Sequence, residues 1–249
     1  MNNDVRELID QLEPLKREGL SALQAARTVQ SRLARDGASG VPHETIVRNG
    51  AAMGQAVAVV FEPLTPAQLA IILHDLYPDL SAVEVGRIIL AVEGFKDTPP
   101  ATLLGALTGA GFDENTATDA VNILYPIAVT IHADQYWQNT GLIVTGRQLT
   151  QITAAGSWTA NPATGMVGPN GNRGLPAKSG YVMPHEPEGA LVGRIGDHAP
   201  FLVGERTQVS PGQAGALQLC INDDWDGRYG AGLKDNIGTL RVEVVTLAS

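Results

Sequence analysis

The spacing of apolar residues changes near Tyr125-Pro126, and this change constrains the fold more than any other feature of the chain. Before it, apolar positions recur at helical spacing, as at Ala25, Val29 and Leu33 or at Val85, Ile88, Ile89 and Val92. After it they alternate. Leu217, Leu219 and Ile221 stand against Ala216, Gln218 and Cys220, and Leu240, Val242 and Val244 stand against Thr239, Arg241 and Glu243. A helix buries a stripe and a strand buries one face, so a chain that switches period once is expected to build two separate cores. A proline disfavours helix at the residue before it, which places the boundary at 1–126 and 127–249.

The first half repeats itself. Segments beginning at Gly19 (GLSALQAARTVQSRL), Gly50 (GAAMGQAVAVVFEPL), Asp79 (DLSAVEVGRIILAVE) and Gly111 (GFDENTATDAVNILY) align without gaps, at spacings of 31, 29 and 32 residues. Each follows a short helical stretch. Ser21, Ser81 and Asp113 stand where an N-cap is wanted, and the glycines suit the residue just past a helix end. The unit is a helix–turn–helix of roughly thirty residues stacked about four times, an all-α repeat module. His43 and His74 have no His or Cys at metal spacing, so the expected role is scaffold, oligomerisation or partner binding.

The second half carries short strands separated by Gly, Pro and Asn clusters, as in TANPATGMVGPNGNRGLPAKSG. This pattern predicts an antiparallel β-sandwich, hence an α+β multidomain chain. Trp137 and Trp158 are expected in its core, and Trp225 exposed, where its ring could stack on a sugar.

Charge excludes one class of partner. The net charge is −9, with 9 basic and 16 acidic side chains in residues 1–128 and 8 and 10 in residues 129–249. Neither half offers the basic face that phosphate backbones require, so no nucleic acid is expected. No apolar run approaches the ~18 residues that span a bilayer. The first residues, MNNDVRELIDQLEPLKREG, are charged and lack the apolar core of a secretory signal, which predicts cytoplasmic synthesis with any release by a non-Sec route. The single Cys220 excludes an internal disulfide framework.

Chemistry concentrates in INDDWDGRYGAGLKDNIGTLRVEVV, residues 221–245, where four Asp, two Asn and four Gly link two alternating strands. Hard cations such as Ca2+ take six to eight oxygen ligands from carboxylates, amides and carbonyls. If the flanking strands pair, Asp223 meets Asp235 and Asn236, and two carboxylates held together without a cation would repel. The opening Asn222, Asp224, Asp226 and Gly227 imitate an EF-hand, but its twelfth position falls on Leu233, where a bidentate Glu is required, and the flanks are strands. Asn, Asp and Gly are also ordinary turn formers, so a metal-free loop stands as the alternative.

Four stretches in order, WQNTGLIVTGRQLTQITAAGSW, GPNGN with the following R-G-P, GALVGRIGD, and LQLCINDDWDGRYG with DNIGTLRVEV, resemble the bacterial calcium-dependent galactose-binding lectins of the PA-IL type. They correspond to the family's opening strand pair, sugar-side loop, central strand, and metal-site strand with last strand. The resemblance covers Trp137 to Val245 and none of the first 126 residues. It implies a Ca2+ site with side-chain oxygens from Asp223, Asp235 and Asn236 and backbone carbonyls from Asn161 and Arg228. It also implies a carbohydrate site of Asn161, Pro176, Lys178, Asp223 and Asp235, in which two neighbouring sugar hydroxyls complete the ion's shell. Leu175 stands where the family carries a His, Val167 where it carries an aromatic, and Lys178 or Ser179 in the region of its Gln.

The resemblance therefore implies calcium-dependent binding of a galactoside-type glycan by an oligomer, since weak sites gain from multiplicity. The alternative is a structural or protein-interaction module whose sandwich keeps calcium only to pin loops. An enzyme is not expected. His132, His185 and His198 form no HExxH pattern, and Glu186 with Glu188 is the sole candidate acid/base pair.

Overall fold

The computed structural model describes residues 3–35 and 41–248, and the chain divides into two units, Met1–Leu124 and Tyr125–Ser249. Among the described residues the first unit holds α1 (Asn3–Arg17), α2 (Ala22–Arg35), α3 (His43–Val60), α4 (Pro66–Leu76), α5 (Ala82–Ala91), α6 (Pro100–Gly109) and α7 (Glu114–Leu124). Helix starts follow the expected caps. Ser21 and Ser81 each form a reciprocal capping box, with Gln24 and Glu84, and Asp113 accepts the Thr116 N–H at 3.0 Å. Thr65 does the same with Gln68 at α4. Helix α1 packs on α3, α4 on α6 and α5 on α7, closing a core around Leu12, Met53, Leu69, Leu73, Ile89, Leu103 and Leu107.

The repeat holds for α1–α2, α4–α5 and α6–α7 but not at its second copy. The repeat places a turn and the start of a second helix at Gly50; instead α3 runs unbroken through it. A Cβ there would come within 3.0 Å of the Leu80 side chain and 3.5 Å of Ile88, so this glycine lets helices approach rather than ending one.

The second unit holds β1 (Ile127–His132), β2 (Gln138–Val144), β3 (Leu149–Thr159), β4 (Asn170–Pro176), β5 (Pro187–Ile195), β6 (Phe201–Leu202), β7 (Arg206–Val209), β8 (Gly215–Ile221) and β9 (Ile237–Leu247). One antiparallel sheet has the order β1-β9-β3-β7, the other β2-β8-β5-β4 with β6 beside β5. Alternation supplies a core shared by both: Ile131, Ile152, Leu240, Val242 and Val244 from the first, Leu142, Leu191, Leu217, Leu219 and Ile221 from the second. Trp158 is fully buried, and its indole N–H donates to the Gly189 carbonyl at 2.7 Å, tying β3 to β5 across that core.

Three expectations are corrected here. The strands flanking the acidic loop do not pair: β8 bonds to β2 and β5, while β9 bonds to β1 and β3. The fifteen residues between them exceed a hairpin turn, and their apolar faces lie on the core from opposite sheets. The opening strands β2 and β3 separate in the same way. GPNGN with the following R-G-P, expected as a sugar-side loop, is largely strand β4, paired with β5, and the loop proper starts at Ala177. Trp137, finally, is half-buried outside the core, with the Arg194 guanidinium 4.6 Å from its ring; Cys220, on the outward side of β8, is fully buried and experiences both groups.

Candidate functional site

The acidic loop, residues 222–236, carries the chain from β8 in one sheet to β9 in the other. Its two ends therefore converge without strand pairing. Asp223, two residues past β8, is 3% exposed, and Asn236, the residue before β9, is 7% exposed. Gly238 fixes the entry into β9: its φ is +100°, and a Cβ would lie 2.6 Å from the Ser157 carbonyl and 2.8 Å from the Trp158 Cα. Only glycine fits that approach.

Asp223 Oδ1 accepts the Asp224 N–H at 2.6 Å; Oδ2 is buried and makes no hydrogen bond of good geometry among the described residues, although the Asn236 amide lies near enough to favour the carboxylate. Burial pushes the Asp223 carboxyl up to about 6. The Asp224 N–H and the Asn236 amide pull it down, while the carboxylates of Glu188 and Asp224 add to the rise. Asn236 donates to the Ala133 carbonyl at 3.0 Å, and its own Oδ1 is the second buried oxygen here without a partner. Two neighbouring side chains thus each hold an unused oxygen in a place water barely reaches. Such groups are costly alone and favourable around a cation.

The other expected ligands differ in how far their oxygens are already engaged. Asp235 is half-buried in a short turn, Gly232–Asp235, and makes no side-chain hydrogen bond among the described residues. Thr159 and Ile237 are the last registered pair of β3 with β9, and Asn161, two residues on, caps a short turn, its Oδ1 accepting the Ala163 N–H at 2.9 Å. The Asn161 carbonyl already accepts the Thr159 hydroxyl at 2.7 Å, the Thr164 hydroxyl at 2.8 Å and the Thr164 N–H at 2.9 Å. Coordination there requires a threonine hydroxyl to turn away. The Arg228 carbonyl, by contrast, accepts no hydrogen bond among the described residues.

Of the expected sugar-side residues, Lys178 meets the acidic loop, at Tyr229. Pro176 ends β4, and the loop after it leans on Tyr229: the Tyr229 hydroxyl donates to the Ser179 carbonyl at 2.8 Å, and Lys178 Nζ lies 4.8 Å from the ring centroid. Gly180, at φ +99°, leaves room for the Arg228 guanidinium, which a Cβ would meet at 3.0 Å. Tyr181 bonds the Glu188 carboxylate at 3.3 Å, and burial followed by the charges of Glu188, Asp223 and Asp224 raises its phenol well above the usual range.

Two residues that the EF-hand comparison treats as chelators are structural. Asp224 is 3% exposed and accepts the N–H groups of Arg228 at 3.0 Å and Tyr229 at 2.5 Å, which curls the loop back on itself. Asn222 is fully buried and bonds Met183 N–H at 2.8 Å, Met183 O at 3.0 Å and Pro187 O at 3.1 Å, fastening the 183–187 segment. The sequence signal for both was strand alternation continued past Ile221, which turns Asn222 and Asp224 away from Asp223.

Among the described residues no three His, Cys, Asp or Glu side chains gather as a metal site by themselves. The candidate set is instead two carboxylates, one amide and two carbonyls, all oxygen, which suits a hard cation rather than zinc.

No family model and no curated protein matches the sequence. Among solved structures, a chain described as the EclA N-terminal domain, a PllA-like lectin, is similar at 23% identity over 49% of this chain and 96% of that one, with a TM-score of 0.39.

Proposed function

We propose that the β unit binds Ca2+ with Asp223, Asp235 and Asn236 and the carbonyls of Arg228 and Asn161, and through the ion binds a galactoside-type glycan. The observation that carries this is the pair of buried, partnerless oxygens, Asp223 Oδ2 and Asn236 Oδ1, at the converging ends of one loop. When bound, the ion supplies a fixed geometry for two neighbouring sugar hydroxyls. The chain's own groups do the rest. Asp223 and Asp235 balance the charge and accept hydroxyl protons, Asp224 holds the loop that presents the Arg228 carbonyl, and Pro176 with Lys178 flanks the site on the loop braced by Tyr229.

A second reading has an observation of its own. Asp223 and Asn236 are both more than nine-tenths buried, which favours an ion that only pins the loops, without sugar. A glycan array probed with the full chain, once in calcium and once in chelator, separates the two. The proposal expects galactoside-terminated spots that vanish with chelator. An array empty in calcium, from a protein whose melting point chelator still lowers, leaves the structural ion alone.

A further inference from the structure

We propose that Tyr136 and Trp225 form a second sugar-ring subsite beside the calcium site, one that takes the apolar face of the next pyranose in a bound oligosaccharide; it rests on the glycan reading above. Tyr136 lies in the link between β1 and β2, and Trp225 in the acidic loop, yet their rings stack at 5.2 Å between centroids and 21° between planes. They are 40% and 49% exposed. Their neighbour Trp137 has a structural task, since it lies beside the buried Cys220 with Arg194 over its ring. The Tyr136–Trp225 stack leaves aromatic surface in water while holding both rings in place, so little rotamer freedom is lost when a ligand arrives.

Three features select a neutral sugar as the occupant. On the Tyr136 side of the stack, away from Trp225, a shallow cavity of about 530 Å3 opens along β1 past Trp137, and Thr130, His132, Gln135 and Asn139 add hydroxyl, imidazole and amide groups to its wall. A pyranose has the matching surfaces, a face of C–H groups for the ring and a rim of hydroxyls for the polar wall. Asp223, Asp224 and Asp226 flank Trp225 in the chain and disfavour an anionic ligand such as a nucleotide. Distance also fits. The Trp225 N–H donates to the Asp223 carbonyl at 3.0 Å, and residues two apart have Cα atoms within about 7.6 Å, so a ring held at the ion leaves its neighbour in reach of the stack.

The test compares methyl galactoside with α- and β-linked galactobiose by calorimetry in calcium, using the full chain and its Trp225→Ala, Trp225→Phe and Tyr136→Ala variants. The expected result is a disaccharide bound about tenfold tighter than the monosaccharide, the factor that 1.4 kcal/mol makes. Trp225→Ala and Tyr136→Ala should erase that advantage while leaving calcium affinity and monosaccharide affinity unchanged, and Trp225→Phe should restore most of it. Equal affinity for both sugars, or a disaccharide advantage that survives both alanine variants, overturns the subsite and leaves the calcium–glycan reading intact. Failure of every sugar to bind a calcium-loaded chain removes that reading and the subsite with it. Variants that change self-association but not sugar affinity assign the stack to a protein contact and also overturn the proposal.

Discussion

Replacing Asp224 with Ala strips two backbone N–H groups, of Arg228 and Tyr229, of their acceptor. Leaving such donors unpaired costs about 1–3 kcal/mol, so urea unfolding should show that loss together with weaker calcium binding, although Asp224 lies outside the proposed ligand set. Asp223 behaves in the opposite way. Its carboxyl is raised from an ordinary value of about 3.9 to about 6 in the folded chain, so the unfolded state releases its proton first as pH rises. Without metal, the favourable contribution is full below about pH 4 and is lost by the time pH has passed 6, amounting to about 3 kcal/mol. Unfolding of the calcium-free chain at a series of pH values should show this fall, and Asp223→Asn should flatten it. Calcium affinity should run the other way, weakening as pH drops through 6, because the ion needs the carboxylate. An Asp223→Asn chain with the wild-type pH slope would assign the titration to another group.

Among elements, the ends of helices were legible and their interiors less so. Ser21, Ser81 and Asp113 cap where their sequence context says, because a cap is a local hydrogen bond. Gly50 departs from the repeat because a glycine that admits Leu80 and a glycine that ends a helix look the same in one dimension. The alternation of β8 and β9 fixed which side chains face the core, but not which strands they bond, since pairing depends on distant partners such as β1 and β5. The same limit hid Cys220: its face was outward as expected, and Trp137 and Arg194, remote in sequence, lie beside it. In the site, the acidic loop stood out by composition, whereas the bracing roles of Asn222 and Asp224 depend on a loop path that composition does not encode. Gly238→Ala tests how strongly two elements set the site. A Cβ at φ +100° against the backbone of Ser157 and Trp158 should cost about 1–3 kcal/mol and, by moving Asn236, weaken calcium binding. Unchanged affinity in a folded Gly238→Ala protein would separate the strand approach from the metal site.

For the whole molecule, the two units can be followed by different signals. All three tryptophans, Trp137, Trp158 and Trp225, lie in the β unit, and the described α-helices lie in the other. Calcium should therefore raise the melting midpoint seen in tryptophan emission, by about 2.7 kcal/mol of added stability at a hundredfold excess over the dissociation constant. Among the described residues no helix is long and apolar enough to cross a membrane. The most direct test of the account is a calorimetric calcium titration of the full chain beside its Asp223→Ala variant at neutral pH. The account predicts one calcium per β unit in the parent and none in the variant; a parent that binds no calcium, or a variant that binds it equally well, would contradict it.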